Sequence, residues 1–156
     1  MIALCCCLAE GAAAQAQQQV TPLDATVCSV GEVATVIEGS PDYRVFSVQN
    51  RGAVRASEPG GAFDNAATRC FSTAVSMGGG PAAATGYCEW ATSAEDRALF
   101  RWTAEAGQGR GDFIGGTGRF RDISGGTSFR PIAPIPSLEP NSYRFCNRVS
   151  GGFRLP

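Results

Sequence analysis

Four cysteines, Cys28, Cys70, Cys88 and Cys146, are the side chains of this sequence best equipped for covalent chemistry. An even set of four allows three disulfide pairings. The competing use is a metal site. No C-x-x-C spacing occurs and the chain has no histidine, so the pattern argues against zinc and no metal or cofactor is expected. The lack of histidine also removes the commonest general base. All 13 basic residues are arginine, against 14 acidic ones, so Schiff-base lysine chemistry and the P-loop lysine are missing too. No basic block is present, which excludes a nucleic-acid footprint.

Few other groups could act. Glu95-Asp96 is a paired acid on a hairpin turn; it could attract a cation, but reads as a solvated turn. Arg110-Gly111-Asp112 spells an adhesive tripeptide, yet Asp112 enters a strand and cannot project from a loop tip. Arg101 lies between Phe100 and Trp102, and Glu89 beside Trp90. If the aromatics face the interior of a sheet, alternation puts both charges outside. The opposite register would bury a guanidinium and suggest an anionic ligand.

The elements that must position these groups are strands. Charged residues make up only 17% of the chain, below the roughly 25% usual in soluble domains. With 20 glycines and 9 prolines, short strands and turns are favoured over long helices. Apolar and turn residues punctuate about eight strands, among them "ATVCSVGEVATVIEG", "YRVFSVQNRGAVRAS" and "ALFRWTAEA". In the second, Phe46, Val48 and Asn50 face one way and Val45, Ser47 and Gln49 the other, with Arg51-Gly52 expected as a bulge or bend. "SEPGGAFDNAA" reads as a loop, and "RPIAPIPSLEP" as irregular surface chain. No amphipathic helix is found. The expected fold is all-β: a single antiparallel closed barrel of about eight strands.

The N-terminus reads as an export signal. An apolar segment, residues 2–9, leads to the A-x-A cleavage site Ala14-Gln15-Ala16, so residues 1–16 form the leader and take Cys5, Cys6 and Cys7 with them. Residues 17–22 follow as a polar tail and 23–156 as the barrel domain. The mature chain is expected to be periplasmic or secreted, where disulfides persist. No apolar run approaches the ~20 residues of a transmembrane helix.

"GGTGRFRDISG", residues 115–125, is the most informative stretch. It lacks the lysine of a P-loop, and Arg121 stands where a Rossmann loop needs its third glycine. As a barrel corner it makes sense. Gly118 would supply a positive φ, Thr117 would cap the following turn with its hydroxyl, and Phe120 would return inward to plug the barrel end. Gly115, Gly116 and Gly125 complete the corner. The stretch resembles the signature shared by dirigent proteins and allene oxide cyclases, two families of calycin-like eight-stranded barrels. The pattern from "GYCEW" through "LFRW" to "GGTGRF" also resembles small exported bacterial proteins placed near that superfamily. The resemblance implies the fold and assigns no catalytic residue.

Barrel topology selects among the disulfide pairings. Cys70 and Cys88 lie on strands joined by one hairpin, and Cys28 and Cys146 on the first and last strands, which closure makes neighbours. The expected pairs are Cys70–Cys88 and Cys28–Cys146. For function, the first expectation is a non-enzymatic barrel that binds a small apolar or aromatic ligand, with Phe46, Phe71, Trp90, Phe100, Trp102 and Phe113 as lining candidates. The alternatives are a cyclase, isomerase or dirigent-like enzyme acting on a hydrophobic substrate, and an interaction module, oligomers included, that works through loops or a dimer face. A filled lumen would exclude both ligand readings. An open lumen with a buried arginine or glutamate would favour the enzyme.

Overall fold

The computed structural model of the chain describes residues 19–156 apart from 41, 79–81, 138 and 140. The expected leader, residues 1–16, lies outside the described residues. Eight strands account for almost all of the rest: β1 (Thr21–Ser40), β2 (Tyr43–Ala56), β3 (Ala67–Met77), β4 (Ala83–Ala91), β5 (Arg97–Glu105), β6 (Gln108–Thr117), β7 (Ser124–Ile135) and β8 (Ser142–Arg154). A single 3₁₀ turn, Gly118–Phe120, joins β6 to β7. Each strand pairs antiparallel with the next, and β8 returns to β1, so the sheet closes into a barrel. The fold is the all-β closed barrel that the strand count implied. Closure leaves the first and last strands without a free edge over their paired lengths.

Both expected disulfides are present, Cys28–Cys146 and Cys70–Cys88. They lie on opposite faces of the wall. Val27, Ser29, Phe145 and Asn147 face the lumen, so Cys28 and Cys146 between them face outward and staple the β1–β8 seam from outside. Cys70 and Cys88 are themselves part of the lumenal lining.

Three local expectations are corrected. Arg51-Gly52 is not a bulge, because the β1–β2 and β2–β3 registers run straight through it; the β1–β2 irregularities lie between Val33 and Thr35 and between Glu38 and Ser40. Gly52 is needed for close approach instead, since a Cβ there would strike the Cys28 carbonyl of β1. The first part of the proline-rich stretch is not irregular: Pro131 and Pro134 lie within β7. They are tolerated because β6 pairs with β7 only as far as Phe129, so beyond it one edge of β7 needs no N–H donor. Thr117, finally, makes no cap to the turn that follows it. Its hydroxyl donates instead to the Glu95 carbonyl in the β4–β5 turn.

The inward-facing residues divide the lumen into two halves. At the end formed by residues 57–66, the β4–β5 turn and the 3₁₀ turn, the interior is packed solid. Phe63, Phe120 and Phe153 are fully buried there. Phe63 stacks on Phe120 at 4.7 Å and on Phe113 at 5.2 Å, and meets Trp90 edge-on at 5.3 Å. Asp64 braces the loop that delivers Phe63, accepting the backbone N–H groups of Gly60 and Ala56 at 3.1 and 3.2 Å. The Gly60 bond foremost, with the Ala56 bond and the nearby Arg55 cation, holds its carboxyl below the usual range against the opposing cost of desolvation. Asp96 ties the same end to the corner by accepting the Arg119 N–H at 2.9 Å and pairing with its guanidinium.

Candidate functional site

The other half of the lumen is open. Many of its inward positions are small, as one cross-strand row shows. Ala74 on β3, Ala84 on β4 and Ala104 on β5 face one another in register, and the row continues to Gly109 on β6. Only Phe46 and Phe129 bound it on either side. A cavity of about 420 Å³ results, reaching the turn residues Ala82 and Gly107 at the mouth. That lies within the roughly 300–1,000 Å³ of small-molecule sites. Trp90 and Phe100, 5.6 Å apart, form its floor and back onto the aromatic plug.

The chemistry of the wall is mostly apolar. Among the described residues, no charged side chain lines the cavity. Its polar groups are Ser29, Asn50, Ser72, Tyr143 and Asn147. The Tyr143 hydroxyl donates to the Asn50 side-chain oxygen. The two residues sit on β8 and β2 and both pair with Gly31 of β1, the strand between them. A Cβ at Gly31 would collide with the Tyr143 ring and with Asn50, so glycine is what lets the tyrosine cross over β1. Burial pushes the Tyr143 phenol up to about 12, and the bond to Asn50 only partly opposes it. The phenol is therefore neutral at ordinary pH. Because the tyrosine's proton is committed to Asn50 Oδ1, the Asn50 amide N–H groups and a lone pair on the phenol oxygen remain to meet a polar group of a ligand.

The six aromatic candidates separate into three groups. Phe46, Trp90, Phe100 and Trp102 line the cavity, as does Phe129, which residue alternation alone did not single out. Trp102 and Phe129 meet edge-on at 5.9 Å. Phe113 is buried in the plug, not in the lining. Phe71 faces outward with 52% of its surface exposed, because its neighbours Cys70 and Ser72 take the inward positions. Arg101 is also outside, 4.0 Å from Asp112, and Glu89 is shared by Arg69 and Arg97 on the outer face. Of the corner residues, Gly118 has φ +56 and Phe120 is fully buried, while Gly115 and Gly125 also have positive φ.

Two features of the site escaped the sequence. Tyr143 and Asn50 are 93 residues apart and meet only through barrel closure. The signal that could have found them is Gly31, a glycine inside a strand with no turn to explain it. Phe63 was hidden in a loop; a lone large aromatic in a polar, glycine-rich connection is the clue that the loop folds inward.

These features define a closed eight-stranded antiparallel barrel with one sealed end and one hollow end. No protein-family model matches the chain, and no curated protein matches it. Among solved structures it is similar to the pterocarpan synthase dirigent protein GePTS1, with a TM-score of 0.51 and 10% sequence identity, over 89% of this chain and 93% of that one. At that identity the likeness is one of fold: the barrel is dirigent-like.

Proposed function

We propose that this is an exported barrel whose hollow half binds one small, uncharged, mainly apolar or aromatic molecule. The observation that carries the reading is a roughly 420 Å³ cavity walled by small and aromatic residues and free of charge among the described residues. Burial of the apolar body supplies the affinity. The Asn50–Tyr143 pair supplies the orientation, since a ligand hydroxyl or carbonyl placed there avoids leaving buried polar groups unmatched. A carboxylate or ammonium ligand would enter without a countercharge and is disfavoured. Export agrees with the two disulfides.

A dirigent-like or cyclase-like role on a hydrophobic substrate is the second reading, favoured by the polar pair set in one wall of an otherwise apolar chamber. Steering a reaction by shape needs little more. Simple binding ranks ahead because, among the described residues, the chamber offers no ionised acid or base to move protons. Native mass spectrometry of the protein purified from its own host tests the proposal. A stoichiometric neutral molecule, released on unfolding, is the expected result. A bare-chain mass under all gentle conditions would count against it.

A further inference from the structure

The two ends of the barrel differ outside as well as inside. The three connections at the plugged end, residues 57–66, 92–96 and 118–123, expose no large apolar side chain, although Val20, Leu99 and Ile114 are exposed on the wall near that end. The mouth exposes more. Val36, Ile37, Tyr43, Met77, Ile132 and Ile135 are all exposed there, Ile37 at 60% and Met77 at 65%. Strand overhangs create this collar. β1 runs past its last β8 partner at Glu32, carrying Val36 and Ile37 out on a tongue paired with β2. Tyr43 and Met77 stand opposite each other at the ends of β2 and β3. β7 runs past its last β6 partner at Phe129, carrying Ile132 and Ile135.

We infer that this collar seats the mouth of the barrel on a lipid bilayer surface, so that the lumen exchanges its ligand directly with the membrane. The inference rests on the lumenal reading above. An uncharged apolar molecule that fits this cavity is concentrated in bilayers and scarce in water. A collar continuous with the cavity mouth spares it the aqueous step. The collar's form suits a bilayer better than a protein partner. Its apolar side chains stand on the ends of β1, β2, β3 and β7 beside the opening, an arrangement that an acyl–headgroup boundary can accept without a matching surface. Tyr43 adds the amphipathic ring typical of such boundaries. Charge at the mouth is of both signs: the strand ends and connections there carry Glu38, Asp42, Glu105 and Glu139 as well as Arg44, Arg130 and Arg144. No polybasic patch for anionic headgroups arises among the described residues, so the surface recognised is a zwitterionic one.

The test uses the full, disulfide-intact protein, phosphatidylcholine vesicles and the neutral fluorescent probe N-phenyl-1-naphthylamine. The wild type should cosediment with the vesicles equally at low and high salt. The triple variant I37S/M77S/I132S should partition at least about tenfold less, as expected for withdrawing three apolar side chains from an interface. It should keep its unfolding midpoint and its probe affinity in vesicle-free buffer. The outer-wall variant F71S/Y87S should partition like the wild type. If the wild type binds the probe but stays in the supernatant, the membrane role is overturned and the lumenal reading survives. Equal losses in both variants, or a collar-dependent dimer in place of vesicle binding, also overturn it. Failure to bind the probe in buffer strikes the lumenal reading, and the loading role with it.

Discussion

The plugged and hollow halves of this barrel share the same eight strands and the same alternation, yet one is solid and the other can hold a guest. Side-chain size at the inward positions makes the difference. Toward the plug those positions hold Leu23, Trp90, Phe113 and Phe153, supplemented by Phe63 and Phe120 from the connections. Toward the mouth a row of small residues, Ser72, Ala74, Ala84 and Ala104, leaves open the space between Phe46, Trp102, Phe129 and Tyr143. The solid half carries the packing energy, so the hollow half is free to stay unfilled. A barrel of eight strands can be finished either way; here one molecule uses both solutions.

The largest expected effect lies in the plug. Phe63→Ala removes the ring at the centre of the aromatic stack and should cost roughly 3–5 kcal/mol of unfolding free energy in urea titrations. A loss below about 1 kcal/mol would mean that the plug does not dominate stability. Next come the disulfides, which sharpen the contrast between wall faces. C28S/C146S opens the bridge of sequence separation 118 and should cost about 2–4 kcal/mol with no change in probe affinity. C70S/C88S, with a separation of only 18, should cost less stability but shift probe affinity, because that pair lines the cavity. The opposite pattern would break the assignment of one bridge to each face.

Gly118→Val comes third. A valine at φ +56 is strained, and its Cβ would meet the Asp96 carboxylate that ties the corner to the β4–β5 turn. A loss on the order of 1–3 kcal/mol is expected in thermal unfolding. An unchanged midpoint would make the corner an ordinary loop. The smallest effect belongs to the hollow half. Tyr143→Phe should cost about 1 kcal/mol near neutral pH. The phenol titrates at about 12 in the folded protein, above its ordinary value near 10. Folding therefore favours the protonated form, a contribution fully present below about pH 10 and lost as the pH rises toward 12. Tyrosinate absorbance should show a last step near pH 12 that the phenylalanine variant lacks.

The plan of this molecule was written more plainly in its sequence than its cavity was. Alternation in "YRVFSVQN" put Phe46, Val48 and Asn50 on one face, and they do line the lumen together. Closure then dictated both disulfides. What alternation cannot supply is phase. It could not tell that Cys70 points inward and Phe71 outward, because both are residues that cores accept. Nor could it tell which inward aromatics meet a guest and which meet each other, as Phe113 meets Phe63. That depends on height along the barrel axis, set by strand stagger and by a loop folding back. Glycine misled in its own way. Read as turn punctuation, it also marks strand positions such as Gly111, where an added Cβ would strike the Phe100 ring.

Fluorescence titration with N-phenyl-1-naphthylamine, on the wild type and on Ala84→Phe, asks whether the hollow half is a ligand site. Ala84 stands in the middle of the small-residue row at the mouth. A phenylalanine there fills space that is empty and should leave the unfolding midpoint nearly unchanged. The wild type is expected to bind one probe per chain and the variant to lose at least about tenfold in affinity, roughly 1.4 kcal/mol. A folded Ala84→Phe variant that binds as tightly as the wild type, or a wild type that binds no probe, would contradict a ligand site in the hollow half of the barrel.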